Sequence, residues 1–202
     1  MMARLTGVQP AHWRRCWDCA ALVGVTTIGL HGFGEPSGGA TLHAWSFADT
    51  TANLLFAYLV LIAALRDLAS TSAQRRGRLM FGAITALGIS HVGAETFLGA
   101  ASGGFESGAL GALSLSQLAL VVDYAAVFAI FWRGRARMPL RAQRLLPLVG
   151  LSATVGLLFA MPNGDRVDFG FVAYHAIFHL FAAFLVMLLW IVQEIRFSEP
   201  RA

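Results

Sequence analysis

The stretch Tyr174-His175-Ala176-Ile177-Phe178-His179-Leu180-Phe181-Ala182-Ala183-Phe184-Leu185-Val186-Met187-Leu188-Leu189-Trp190-Ile191 contains no Asp, Glu, Lys or Arg. About 20 apolar residues in a helix cross the hydrocarbon core of a bilayer, so this run reads as a membrane helix. Within it His175 and His179 stand four residues apart. That spacing puts both imidazoles on one helix face with Cβ atoms about 6 Å apart, close enough to reach one metal ion. Ionisable groups inside a membrane mark a pathway, a metal or a paired site by default.

The rest of the chain has the same character. It is 202 residues long, 57% hydrophobic and only 13% charged, with a mean hydropathy of +0.65. These values exclude an ordinary soluble domain. Apolar segments fall at residues 19–33, 47–65, 79–98, 114–132, 145–161 and 170–192. The expected fold is all-α: one integral membrane domain over residues 1–202, a polytopic bundle of six spans. The first segment is short, glycine-rich and preceded by Arg14 and Arg15. Taken alone it also reads as an interfacial helix or an uncleaved signal anchor.

Charge placement gives an independent count. Every one of the 15 basic residues is arginine. Arg4, Arg14 and Arg15 precede the first segment; Arg66, Arg75, Arg76 and Arg78 fill the second connection. Arg133, Arg135, Arg137, Arg141 and Arg144 fill the fourth, and Arg196 and Arg201 follow the last segment. The alternate loops hold Glu35, Glu106, Asp165 and Asp168, with Arg166 alone among them. The positive-inside rule then puts both termini in the cytoplasm. A pI of 9.8 is accounted for by topology and anionic lipid, with no nucleic-acid partner. The expected location is an inner or plasma membrane of the bacterial type. The stretches 36–41 and 99–111 read as ordinary outer connectors.

On this topology the intramembrane polar groups acquire depths. Counting 1.5 Å per residue from the outer ends, His91 lies about 10 Å in, Asp123 about 14 Å, His175 about 8 Å and His179 about 14 Å. All four belong to the non-cytoplasmic half. Glu95 sits one turn outward of His91, Ser90 is adjacent to it, and Asp49 and Asn53 form another i, i+4 pair. Three neutral imidazoles with an open position for water are a common catalytic Zn²⁺ set, and a nearby carboxylate can receive the proton of that water. His31 and His43 read as helix-packing groups.

At these residues the chain resembles the CREST superfamily of membrane hydrolases, which includes alkaline ceramidases and the progestin and adiponectin receptors. His175-Ala-Ile-Phe-His179 is similar to the HxxxH motif of that family's last helix. Val122-Asp123-Tyr124 is similar to its aspartate motif, and Gly88-Ile-Ser-His91 to its second-helix histidine. Phe47-Ala-Asp49-Thr-Thr-Ala-Asn53 resembles the opening of a ceramidase first helix. The resemblance implies that His91, His175 and His179 hold zinc and that Asp123 orients or deprotonates water at the metal; by their position in the sequence Ser90, Glu95 and Asp49 are lesser candidates. The implied substrate is a membrane lipid with an amide or ester bond, a ceramide or similar acyl lipid. The chain also departs from that pattern. Leu87 occupies the position of the family's serine, the interval from His91 to Asp123 is longer, and the segments number six rather than seven. The acidic stretch that binds calcium in alkaline ceramidases is missing, so no calcium is expected.

Two other classes compete. A haem protein fits poorly, because ligands only about 6 Å apart along one helix cannot serve opposite faces of a haem. A receptor, transporter or assembly subunit would use the same residues as a proton relay or as packing and would bind no stoichiometric metal. The Cys16-Trp-Asp-Cys19 spacing is a weak zinc signal without a second pair, and at the cytoplasmic end no disulfide is expected. Trp13 and Trp17 read as interfacial anchors. There is no HExxH, no P-loop and no nucleotide fingerprint.

Overall fold

A computed structural model of the protein describes residues 9–34, 37, 39–98, 115–159 and 174–199. All regular elements among them are helical: α1 (Ala11–Gly29), which runs on as a π-helical turn over Leu30–Gly34; α2 (Gly39–Leu68); α3 (Thr71–Leu98); α4 (Leu115–Gly134), closed by a 3₁₀ turn at Arg135–Arg137; α5 (Leu140–Phe159); and α6 (Tyr174–Ser198). The described part of each apolar segment read from the sequence lies within one helix, with residues 114, 160–161 and 170–173 of those segments outside the described residues. Among the described residues four stretches are long and apolar enough to cross a membrane: Ala11–Phe33, Gly39–Leu68, Leu115–Arg137 and His179–Ser198. The first two turns of α3 carry Arg75, Arg76 and Arg78, and those of α5 carry Arg141 and Arg144.

The chain divides into two compact units, one of Arg15–Val127 and one of Met1–Arg14 with Phe128–Ala202, so the divisions fall inside α1 and α4. In the Arg15–Val127 unit α2 and α3 form a tight antiparallel hairpin with only Ala69 and Ser70 between them. Gln74 Nε2 donates to the carbonyls of Arg66 (3.2 Å) and Ala69 (3.0 Å), satisfying the end of α2 that the helix itself leaves open. Farther along, Gly88 of α3 packs directly on Ala119 of α4 and Leu54 of α2: a Cβ on Gly88 would lie 3.0 Å from that of Ala119. Lipid tails are as apolar as leucine, so helices in a membrane associate through such close backbone approach rather than through the hydrophobic effect.

In the other unit α5 and α6 pack along each other. Ser152 Oγ donates to the carbonyl of Phe181 across that seam at 3.1 Å. The N-terminal segment is tied to the same unit, for Gln9 Nε2 donates to Glu194 Oε2 at 2.8 Å. Helix α1 starts at Ala11, eight residues ahead of the expected first span, because the carbonyl of Pro10 accepts the N–H groups of Trp13 and Arg14. Proline just before a helix sacrifices no helical hydrogen bond. This early start turns Trp13 inward. It is 0% exposed and meets Phe131 with ring centroids 6.1 Å apart. The reading of Trp13 as an interfacial anchor is therefore corrected: it is a core residue.

Polarity is distributed as lipid demands. The exposed large side chains include Leu22, Val25 and Ile28 on α1, Leu148 and Leu151 on α5, and Leu180, Phe184 and Met187 on α6. Thr26, Asp49, Thr85, Ser116, Asp123, Ser152 and Gln193 are buried. Apolar stripes at helical spacing face outward and polar groups face inward, the reverse of a helix in a water-soluble bundle.

Candidate functional site

Among the described residues the most buried carboxylate is Asp123 on α4, which is 0% exposed. Its Oδ2 accepts from Thr85 Oγ1 of α3 at 2.9 Å. Thr85 Oγ1 also lies 2.8 Å from the carbonyl of Phe81. A hydroxyl carries one proton, so it can serve only one of these acceptors at a time. Asp123 Oδ1 has no hydrogen-bond partner among the described residues. A buried polar atom in that state costs roughly 1–3 kcal/mol, and more when charged, unless something supplies a proton or positive charge.

The position of Asp123 relative to His91 follows from helix register. Thr85 is level with Asp123 and Gly88 with Ala119, so the two helices run antiparallel past each other. His91 is six residues beyond Thr85, about 9 Å along the axis. Asp123 and His91 are thus offset along the helix axis by more than a turn, a larger offset than counting from the segment ends predicts. Cross-helix contacts at Gly88 set this register, whereas segment ends do not. His91 itself is half-buried.

Asp49 has a separate environment. It is 7% exposed, and its Oδ1 accepts from the hydroxyls of Thr26 and Thr27 on α1. Asn53 donates to the Asp49 backbone carbonyl at 2.9 Å rather than to the carboxylate. The i, i+4 pair recognised in the sequence is therefore a side-chain-to-backbone contact within α2, and the carboxylate serves the α1–α2 seam.

His179 is half-buried on α6, and Ser90 is exposed on α3. The side chains of His175 and Glu95 lie outside the described residues. Backbone continuity of α6 keeps His175 and His179 one turn apart on a common face. Among the described residues no three of His, Cys, Asp and Glu gather into a group able to hold a metal. Cys16 is buried and Cys19 half-buried, one turn apart on α1.

Sequence reading overlooked the threonines. Thr26 and Thr27 donate to Asp49 and Thr85 to Asp123, yet an inventory of ionisable groups passes over them. A signal was present: Thr85 lies three residues before Gly88, on the small-residue face through which α3 approaches its neighbours. Compared with protein-family models, curated proteins and solved structures, the chain has no match.

Proposed function

We propose that this protein is a zinc-dependent intramembrane hydrolase that cleaves an amide or ester bond of a membrane lipid. The observation that supports the reading best is the fully buried Asp123 carboxylate, held by Thr85 through one oxygen and leaving the other without a partner among the described residues. An acceptor in that state fits a group that orients water and takes its proton. The donor types also suit zinc, since neutral imidazoles and carboxylates are its usual company. In this reading His91, His175 and His179 hold the metal. Zinc would supply Lewis acidity and bring the pKa of water toward neutrality.

The chain's own residues then have distinct tasks. Thr85 fixes the Asp123 carboxylate through Oδ2, so that Oδ1 is aimed and available to receive a proton. The surrounding apolar helices exclude bulk water, which strengthens each electrostatic contact within. Six helices crossing the membrane with both termini cytoplasmic would place His91, His175 and His179 toward the non-cytoplasmic side. A lipid would reach them sideways from the bilayer.

A second reading, a non-enzymatic receptor, transporter or assembly subunit with a proton relay, draws support from the threonine hydroxyls that meet both Asp49 and Asp123. Metal content separates the two. The hydrolase should carry about one zinc per chain after purification in detergent, measured by elemental mass spectrometry. The His175→Ala/His179→Ala variant should lose that metal while keeping its helicity, and the wild type should hydrolyse ceramides or related acyl lipids. Failure of the wild type to take up zinc, even on reconstitution, would replace the hydrolase with the relay.

A further inference from the structure

We propose that the α2–α3 hairpin carries a binding site for the phosphate headgroup of an anionic membrane lipid. The site is a cavity of about 220 Å³ lined by Ile62, Leu65, Arg66, Gln74 and Arg78. It is far larger than the roughly 10–15 Å³ that a single water needs on the same measure. Its two arginines come from the two helices of the hairpin, Arg66 in the last turn of α2 and Arg78 in the second turn of α3. Its apolar wall, Ile62 and Leu65, continues down α2 toward the membrane interior.

Three features point to an anion there. First, both arginines are exposed, and among the described residues neither is paired with a carboxylate. Arg78 donates its Nε to the carbonyl of Gln74 at 3.3 Å, which anchors the side chain and leaves both terminal nitrogens for a ligand. Planar guanidinium groups bind phosphate oxygens in pairs, with more geometric demand than a lysine would impose. Second, the start of α3 has the wrong charges for a helix on its own. The N-terminal end of a helix is positive, yet α3 has no acidic residue in its first turn, and Arg75, Arg76 and Arg78 follow close behind. An anion lodged at this end would relieve that repulsion. Third, the scaffold is fixed around the cavity. Tyr58 donates its hydroxyl to the Arg78 carbonyl at 3.1 Å, and Gln74 caps α2.

Apolar wall and basic rim together specify an amphiphile rather than a free anion. Ile62 and Leu65 accept the glycerol and upper acyl carbons of a lipid, while Arg66 and Arg78 hold its phosphate. Basic pockets between membrane helices recognise anionic headgroups in this way. The inference needs only that the hairpin lies at the boundary of the membrane, and it is independent of the zinc reading.

Native mass spectrometry of the full chain in detergent tests it, with titration of phosphatidylglycerol, phosphatidylcholine and soluble glycerol 3-phosphate. The wild type should retain one phosphatidylglycerol at concentrations where phosphatidylcholine and glycerol 3-phosphate are not retained. Arg66→Gln/Arg78→Gln should weaken that retention roughly tenfold or more, as loss of charge-assisted contacts does. Arg133→Gln/Arg144→Gln, which removes equal charge elsewhere, should leave it within about twofold. Circular dichroism checks the fold of each variant. If the glutamine pair misfolds, Arg66→Lys/Arg78→Lys replaces it, and retention should still fall severalfold because the paired fork is lost. Equal retention of the two lipids, or equal loss in the control variant, would overturn the site. Retention of glycerol 3-phosphate as strong as that of the lipid would overturn its assignment to lipid.

Discussion

Substitution of Gly88 by alanine tests the register on which the placement of Asp123 depends. The new methyl would stand 3.0 Å from Ala119 Cβ and 3.3 Å from both terminal carbons of Leu54. Carbon atoms in favourable contact are 3.5–4.0 Å apart, so α3 and its neighbours would have to separate by roughly 0.5–1 Å. Leu54 is 0% exposed and has little room to turn, and the Ala119 methyl is fixed to its backbone. Overpacking of this kind costs about 1–3 kcal/mol. Alanine returns up to about 1 kcal/mol through its better helix propensity. The net expectation is a loss of about 1 kcal/mol.

Gly24 provides the control, since a Cβ there meets nothing within 4 Å. Gly24→Ala should be neutral or stabilising by up to about 1 kcal/mol. Both variants can be unfolded reversibly in mixed micelles by a denaturing detergent and followed by circular dichroism. Gly88→Ala should unfold first, with a gap between the two of about 1–3 kcal/mol. A Gly88→Ala protein as stable as Gly24→Ala would show that α3 does not approach Ala119 and Leu54 so closely. The alignment of Thr85 with Asp123 would lose its basis with it.

Other contacts give narrower expectations. Thr85→Val leaves the buried Asp123 carboxylate without its hydroxyl and should destabilise the protein by about 1–2 kcal/mol, whereas Thr85→Ser should restore most of that in the same unfolding assay. A double-mutant cycle on Gln9→Ala and Glu194→Ala should yield a coupling of about 1–2 kcal/mol, because Gln9 is buried and its acceptor is charged. Independent effects that simply add would mean that the N-terminal segment is not held by α6. Arg141 and Glu199 approach to 3.2 Å, but their side chains are 78% and 32% exposed. Glu199→Gln should therefore change stability by less than about 0.5 kcal/mol at moderate salt, and a larger effect would point to a better-shielded pair.

The helices themselves were legible from the amino-acid order. Hydropathy over some 20 residues and the arginines clustered in alternate connections are local properties, and the free energy of placing apolar side chains in lipid is nearly independent of which helix stands beside them. The six segments and the His175/His179 spacing on one face therefore needed no tertiary information. The early start of α1, the burial of Trp13 and the partners of Asp49 and Asp123 are different in kind. Each depends on which residue of one helix stands level with which residue of another. Close contacts such as Gly88 on Ala119 set that level, and a hydroxyl is as inconspicuous in sequence as it is decisive beside a buried carboxylate. Sequence alone therefore determined an all-helical membrane chain with a few polar groups that need partners. Tertiary structure decided that Thr85 serves Asp123 and that Thr26 and Thr27 serve Asp49, because a hydrogen bond requires atoms within about 3 Å and only packing between helices brings them there.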